Sequence, residues 1–219
     1  MKINTDGVLL GALAAADGPK SVLDIGTGTG VIALMLAQRF KQAQIDAVEI
    51  DESASITAQG NFRRSVFTDR LALYSSGFQD FFETHPDNKY DLIVSNPPFY
   101  INSLQSPGAK INLAKHAADG FFEALTEAIS KQLNTNGVCW LVLPPDTATL
   151  VKKLATQNHL HLQKIIHVYS FKTDEAHREI LAFGLGATEL SENNLVIYDE
   201  PKVYSAIYRA ALKDFLTIF

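Results

Sequence analysis

Short, nearly unbroken apolar runs recur along the chain, separated by longer stretches in which apolar residues return every three or four positions. Val22–Ile25, Gln44–Asp51, Leu71–Ser75, Tyr90–Val94 and Val138–Leu143 are runs of the first kind, and their length and β-branched content predict buried strands. Val8–Leu13, Val31–Phe40, Ser53–Ser65, Gly120–Leu133 and Asp146–Gln157 carry the helical period. Strands alternating with helices predict an α/β fold whose sheet is mostly parallel. Leu160–Tyr169 and Glu179–Leu185 read as two more strands, joined only by the polar segment Lys172–Arg178. That connection holds no crossover helix, so this pair should run antiparallel. Leu195–Tyr198 reads as a short strand, and Tyr204–Phe219 as an amphipathic tail.

Length and composition narrow the setting. The 219 residues, 47% hydrophobic and 20% charged, suit one globular domain spanning 1–219. No stretch is long and apolar enough to cross a bilayer, and no basic amino end leads into a signal-peptide core, so the expected location is cytoplasmic. The formal net charge of −5 denies the chain a global basic field. A polyanionic partner would have to meet a local patch: Arg63, Arg64 and Arg70, or Lys164, Lys172, His177 and Arg178, all of which serve equally well as solvated surface charges. The lone Cys139 sits in an apolar run and reads as packing. His159 and His161 lack a third ligand nearby and read as surface or edge residues, so no metal is expected.

Three stretches carry chemistry. Asp24-Ile25-Gly26-Thr27-Gly28-Thr29-Gly30 follows the first strand and opens a helix. Glycines at alternate positions allow a tight turn whose backbone touches a cofactor directly. A dinucleotide fingerprint wants a glycine where Val31 stands, and Asp24 suits a ligand bearing an ammonium group better than one bearing a pyrophosphate. The second strand ends in Glu49 and Asp51, placed for ribose hydroxyls, although Asp51 is also suited to cap the next helix. Asn96-Pro97-Pro98-Phe99 ends the fourth strand. Each proline holds the residue before it extended, so the Asn96 side-chain carbonyl and the Pro97 carbonyl point in fixed directions, while Phe99 offers a flat face. Two such acceptors suit a conjugated amino group, whose nitrogen must become pyramidal before it can attack.

The glycine turn and Asn96-Pro97-Pro98-Phe99, in this order and separation, resemble the class I S-adenosylmethionine-dependent methyltransferases that act on amino nitrogens. The resemblance implies a Rossmann-like, doubly wound seven-stranded sheet, mostly parallel with an antiparallel last strand, and S-adenosyl-L-methionine as cofactor. Thr5-Asp6-Gly7, ahead of an apolar helical pattern, is similar to the segment that covers the methionine end of the cofactor in the narrower family of tRNA adenine N6-methyltransferases acting on the anticodon loop of a valine tRNA. Members of that family usually carry a further strand and loop ahead of this segment. Tyr204-Ser205 and the terminal aromatics extend the similarity over nearly the whole chain.

Residue by residue, the resemblance implies cofactor contacts from Thr5, Asp6, Gly7, Asp24, Gly26, Thr27, Gly28, Gly30, Glu49, Asp51 and Asn96. In the loop after the third strand the family usually places an aspartate against the adenine amino group. Here that position is Gly77, so Asp80 and Phe78 become the candidates. Asn96, Pro97, Pro98 and Phe99 are the catalytic set, with Phe99, Lys115 and Arg178 toward the substrate. The polar stretch Tyr100–Ala118 is a candidate lid. The leading expectation is methylation of an adenine N6 in tRNA by a monomer or weak dimer. Methylation of a glutamine amide in a protein such as a release factor uses the same four residues, but those enzymes normally carry a helical domain before the glycine turn. A nicotinamide oxidoreductase is disfavoured by Val31, and a non-catalytic binding module by the intact Asn96-Pro97-Pro98-Phe99.

Overall fold

A computed structural model describes residues 4–98, the backbone of 109–119 and residues 120–217. Its main sheet has eight strands: β1 (Ser21–Ile25), β2 (Gln44–Val48), β3 (Leu71–Tyr74), β4 (Tyr90–Ser95), β5 (Leu133–Leu143), β6 (His161–Tyr169), β7 (Arg178–Gly184) and β8 (Ser191–Val196). They lie in the order β3-β2-β1-β4-β5-β7-β6-β8. Only β7 is reversed, antiparallel to β5 on one side and to β6 on the other. The antiparallel pair read from the short polar connection is therefore present, but the count is eight and not seven. β8 adds itself beside β6, parallel to it, through Lys164↔Ser191 to Tyr169↔Val196. Its first four residues are exposed and polar, so the strand expected over Leu195–Tyr198 starts earlier, at Ser191, and ends at Val196, while Tyr198 opens the next strand. A separate hairpin pairs β9 (Tyr198–Glu200) with β10 (Val203–Tyr204).

Seven α-helices complete the described chain: α1 (Thr5–Leu13), α2 (Val31–Arg39), α3 (Glu52–Arg64), α4 (Phe78–Thr84), α5 (Ala109–Gln132), α6 (Pro145–Gln157) and α7 (Ala206–Leu212). Residues 109–118, expected within a lid loop, form the start of α5, so the loop expectation is corrected there. Residues 99–108 lie outside the described residues. β5 begins five residues earlier than the apolar run, at Leu133, because Asn134 is bonded to Asp91 at 2.6 Å and carries the strand through a polar stretch. α1 is capped by Asn4, the residue before Thr5-Asp6-Gly7, its side chain accepting from the Gly7 N–H at 2.8 Å.

Alternation along the central strands builds a core on each face. Leu92 and Val94 of β4, Trp140 and Val142 of β5, and Ile180 and Ala182 of β7 face one side, with Leu9, Leu36, Phe62 and Tyr208 from α1, α2, α3 and α7. Ile93, Cys139, Leu141, Leu181 and Phe183 face the other, against Phe81, Phe122, Leu125 and Val151 from α4, α5 and α6. Strands buried on both faces need apolar residues at every position, which explains the unbroken runs. Each fully buried large side chain contributes about 1.5–3 kcal/mol. Burial also pushes the Cys139 thiol pKa upward, so this sulfur is an inert packing group.

Candidate active site

Pairing register decides which residues meet at the carboxyl ends of the strands. Ile25 pairs with Val48 on one side and with Ser95 on the other, while Val48 pairs with Tyr74. The next residue of each strand therefore stands at a common level: Ser75, Glu49, Gly26 and Asn96, in the spatial order β3-β2-β1-β4. At the usual strand spacing this row spans about 14 Å, a length that suits a nucleoside carrying an amino-acid arm. The crevice beyond such strand ends is where open α/β sheets bind ligands.

The glycine turn is braced from below. Gly26, Gly28 and Gly30 have φ of 72°, 61° and 84°, a left-handed conformation that only glycine adopts cheaply. The Gly26 and Thr27 N–H groups donate to the Val48 carbonyl at 2.8 and 3.0 Å. A Cβ on Gly30 would lie 2.5 Å from Cε1 of Phe62, so that glycine is also required for close packing of α2 against α3. A Cβ on Gly26, in contrast, would meet no atom within 4 Å, so the backbone there borders open space.

Two acids hold the turn. Asp24 is fully buried; its Oδ2 accepts from the Thr27 hydroxyl at 2.6 Å and from the Ala33 N–H at 3.2 Å. Its Oδ1 has no hydrogen-bond partner among the described residues. Burial pushes the carboxyl up to about 7, helped by the nearby Glu49 charge and opposed by the Thr27 and Ala33 donors. Glu49, 7% exposed, accepts from Gly28 N–H through Oε2 at 2.7 Å and from Asp51 N–H through Oε1 at 2.8 Å. Asp51 in turn caps α3 by accepting from Ala54 N–H at 2.7 Å. Each carboxylate oxygen of Glu49 keeps a second lone pair for a hydroxyl.

The expected adenine side is built differently from the reading of the loop. Phe78 is buried on α4, packed edge-on against Phe82 and Phe121, and Asp80 is exposed in the first turn of that helix. Gly77 caps α4, and a Cβ there would lie 3.6 Å from Cδ1 of Ile50. Ile50 itself is 79% exposed immediately after Glu49, a large apolar side chain standing at the row of strand ends. The sequence reading missed it. Its signal was an isoleucine between two acids just beyond a strand, where an apolar residue has no core to face.

Beyond β4, Ser95 donates its hydroxyl to the Ile25 carbonyl at 2.7 Å, tying β4 to β1 one residue before Asn96. Asn96 is half-buried, Pro97 buried and Pro98 exposed. The Asn96 amide nitrogen lies 3.5 Å from Oδ1 of Asn4, the cap of α1 and a second residue the sequence reading missed. Thr5, Asp6 and Gly7 form the first turn of α1, and a Cβ on Gly7 would stand 3.6 Å from that Asn96 nitrogen. Asp6 and Arg178, assigned to different ligands, are bonded to each other: Arg178 Nε donates to Asp6 Oδ2 at 2.7 Å. Neighbouring His177 is pushed down by burial and by the Arg178 charge. Phe99 lies outside the described residues, as does the side chain of Lys115 on α5. His159 sits at φ 60° in the turn two residues before β6 opens at His161, and the described residues form no group of three or more metal-ligating side chains.

A parallel sheet interrupted by one reversed strand, with a glycine turn over β1 and Asn96-Pro97-Pro98 past β4, is an arrangement found in class I methyltransferases. The family model described as methyltransferase small domain matches residues 5–149. Over all 219 residues the chain is 41% identical to the tRNA1(Val) (adenine(37)-N6)-methyltransferase of Pedobacter heparinus, covering 92% of that protein. It is likewise 41% identical to the enzyme of the same name from Flavobacterium psychrophilum over 98% of this chain and 92% of that one. The chain therefore belongs to the tRNA1(Val) (adenine(37)-N6)-methyltransferase family within the methyltransferase small-domain group. Among solved structures, a predicted O-methyltransferase from Agrobacterium tumefaciens superposes with a TM-score of 0.71 at 14% identity, covering 95% of this chain and 96% of that one. Precorrin-6y C5,15-methyltransferase from Geobacter metallireducens gives 0.58 at 15% identity, covering 83% and 86%. At these identities the likeness concerns the fold alone.

The cofactor of this class is S-adenosyl-L-methionine, and the residues present fit it. The open space at Gly26, the remaining lone pairs of Glu49, the unpartnered Asp24 Oδ1 beneath the turn and the exposed Ile50 match, in one row, a cationic amino acid joined to a ribose and a flat base.

Proposed function

We propose that this protein transfers a methyl group from S-adenosyl-L-methionine to the N6 amine of the adenine 3′ of the anticodon in a valine tRNA. The observation that carries the reading is the near full-length similarity to relatives bearing that activity in their names, with Asn96-Pro97-Pro98 intact beside Gly26 at the strand ends. When bound, the cofactor supplies an electrophilic methyl group on a sulfonium.

Glu49 accepts the ribose hydroxyls, Ile50 covers one face of the cofactor base, and the turn from Gly26 to Gly30 lets the backbone approach without an intervening side chain. Asp24 lies beneath the turn as a buried acid whose ionised form a nearby ammonium favours. Asn96 Oδ1 and the Pro97 carbonyl accept the two hydrogens of the adenine amine, which draws its lone pair out of the ring and toward the methyl carbon. Phe99 stacks on the base once it is swung out of the loop. No strong base is required, because the methylated nitrogen sheds its proton readily.

Arg178 and Lys115 are the groups assigned to tRNA phosphate, with Arg178 oriented by its bond to Asp6. The expected setting is the cytoplasm and the expected state a monomer or weak dimer; no helix among the described residues is long and apolar enough to cross a membrane.

The test is incubation with methyl-labelled cofactor and separate pools of unmodified tRNA and total protein. Nucleoside mass spectrometry should find the label in N6-methyladenosine, and mass spectrometry of ribonuclease fragments should place it at the position after the anticodon. Label confined to protein would overturn the reading.

A further inference from the structure

We infer that Asn4 is a positioning residue that sets which way the Asn96 side-chain amide faces. The nitrogen and oxygen of an asparagine amide are told apart by their partners, and here the partners form an unambiguous chain. It starts from a backbone N–H, that of Gly7, which can only donate. The Asn4 atom it meets at 2.8 Å is therefore the carbonyl oxygen. The same Oδ1 stands 3.5 Å from the Asn96 amide, so the Asn96 atom on that side must be the donor, Nδ2. In a planar amide this turns Asn96 Oδ1 away from α1, leaving the carbonyl as the group offered to the crevice.

Three features maintain this relay. Gly7 gives the Asn4 amide room, since a Cβ there would stand 3.2 Å from Asn4 Oδ1, while at 3.6 Å from Asn96 Nδ2 it would make only ordinary contact. The first turn of α1 is fastened to β7 by the ion pair of Asp6 and Arg178 at 2.7 Å. Ser95, bonded to Ile25, fixes the other end. An Asn96 turned the other way would present two N–H donors to an amine that needs an acceptor. The inference rests on the methyl-acceptor reading for its catalytic consequence, but the amide orientation itself does not.

Asn4→Ser and Asn4→Asp separate the two roles of Asn4. Serine keeps a good helix cap but reaches one bond less far, whereas aspartate keeps both the cap and an acceptor for Nδ2. With labelled cofactor and unmodified tRNA, N4S should lower kcat about 3- to 10-fold, the range set by losing one neutral hydrogen bond. KM for the cofactor and the melting temperature should stay near wild type, and N4D should recover most of the lost kcat. In substrate-free protein, NMR should find one Asn96 side-chain amide proton shifted by hydrogen bonding in wild type and N4D, and not in N4S. N4S with the wild-type kcat, N4D as impaired as N4S, or an Asn96 amide indifferent to both substitutions would overturn the inference. Wild-type protein that leaves tRNA unlabelled while the NMR pattern holds would instead sink the methyl-acceptor reading and leave the orientation supported.

Discussion

At the ends of β1 and β2 the polar groups bordering the crevice are held by main chain: Glu49 takes two backbone N–H groups, Asp24 a backbone N–H and a buried hydroxyl, and the turn itself hangs from Val48. Past β4, Asn96 has, among the described residues, one side-chain hydrogen bond, the 3.5 Å reach to Asn4. The first half is rigid before any ligand arrives, as a pocket for an invariant cofactor should be. The second is set by a reach between two asparagines on different elements, so it depends on how α1 sits against the sheet. A cofactor pocket made of backbone tolerates change around it, whereas an acceptor oriented by a side chain is exposed to every shift of its neighbour.

The largest effect should come from the lightly held side. Asn96→Ala removes an acceptor needed most in the transition state, and single-turnover measurements should show a loss of about 10²- to 10³-fold. Cofactor affinity should change far less; an equal loss in both would mean that Asn96 shapes the whole pocket and that the two halves are not independent.

Next comes Asp24, which tests how firmly the turn is braced. Its carboxyl is raised from 3.8 to about 7 in the folded protein. Below about pH 4 it is protonated folded or unfolded and has no effect. Between about pH 4 and 7 the unfolded chain ionises it while the folded protein resists, so the native state loses stability as pH rises; above 7 the loss is complete. A carboxamide at this position cannot ionise in either state. The melting temperature of Asp24→Asn relative to wild type should therefore climb from pH 4 to 7 and then level, each kcal/mol appearing as about 2–4 °C. A flat difference would mean that Asp24 stays ionised in the fold.

The smallest expected effect is that of Glu49→Gln, which leaves one acceptor where two N–H groups need partners. Calorimetry should show cofactor binding weakened about tenfold, the scale of a lost hydrogen bond to a charged group, with the loss in affinity and not in turnover. An unchanged dissociation constant would move the ribose contact elsewhere.

The fold was largely legible because burial on both faces forces unbroken apolar strands, and because the short polar segment Lys172–Arg178 leaves no room for a crossover between β6 and β7. Of β8 only the apolar end, Leu195 and Val196, was legible, because polar Ser191, Glu192, Asn193 and Asn194 on an edge strand have no periodicity to detect. The glycine turn and Asn96-Pro97 were legible because they depend on glycine and proline, whose backbone limits are written in the residue itself. Asn4, Ile50 and the pairing of Asp6 with Arg178 were not: their meaning lies in neighbours 92, 27 and 172 positions away. Arg178 illustrates the difference, since a surface arginine and one committed to a helix read alike in sequence.

That commitment sets an order of assembly. α1 leaves the ribosome long before its anchor Arg178 and its packing partner α7 are made. Until β7 and α7 have emerged, a nascent chain has the elements of its glycine turn and the α2 face that α1 packs on, but lacks the Arg178 anchor and the α7 packing that hold α1 from the other side. In chain order, the residues of the glycine turn therefore precede by more than a hundred positions the anchors that hold α1 beside Asn96.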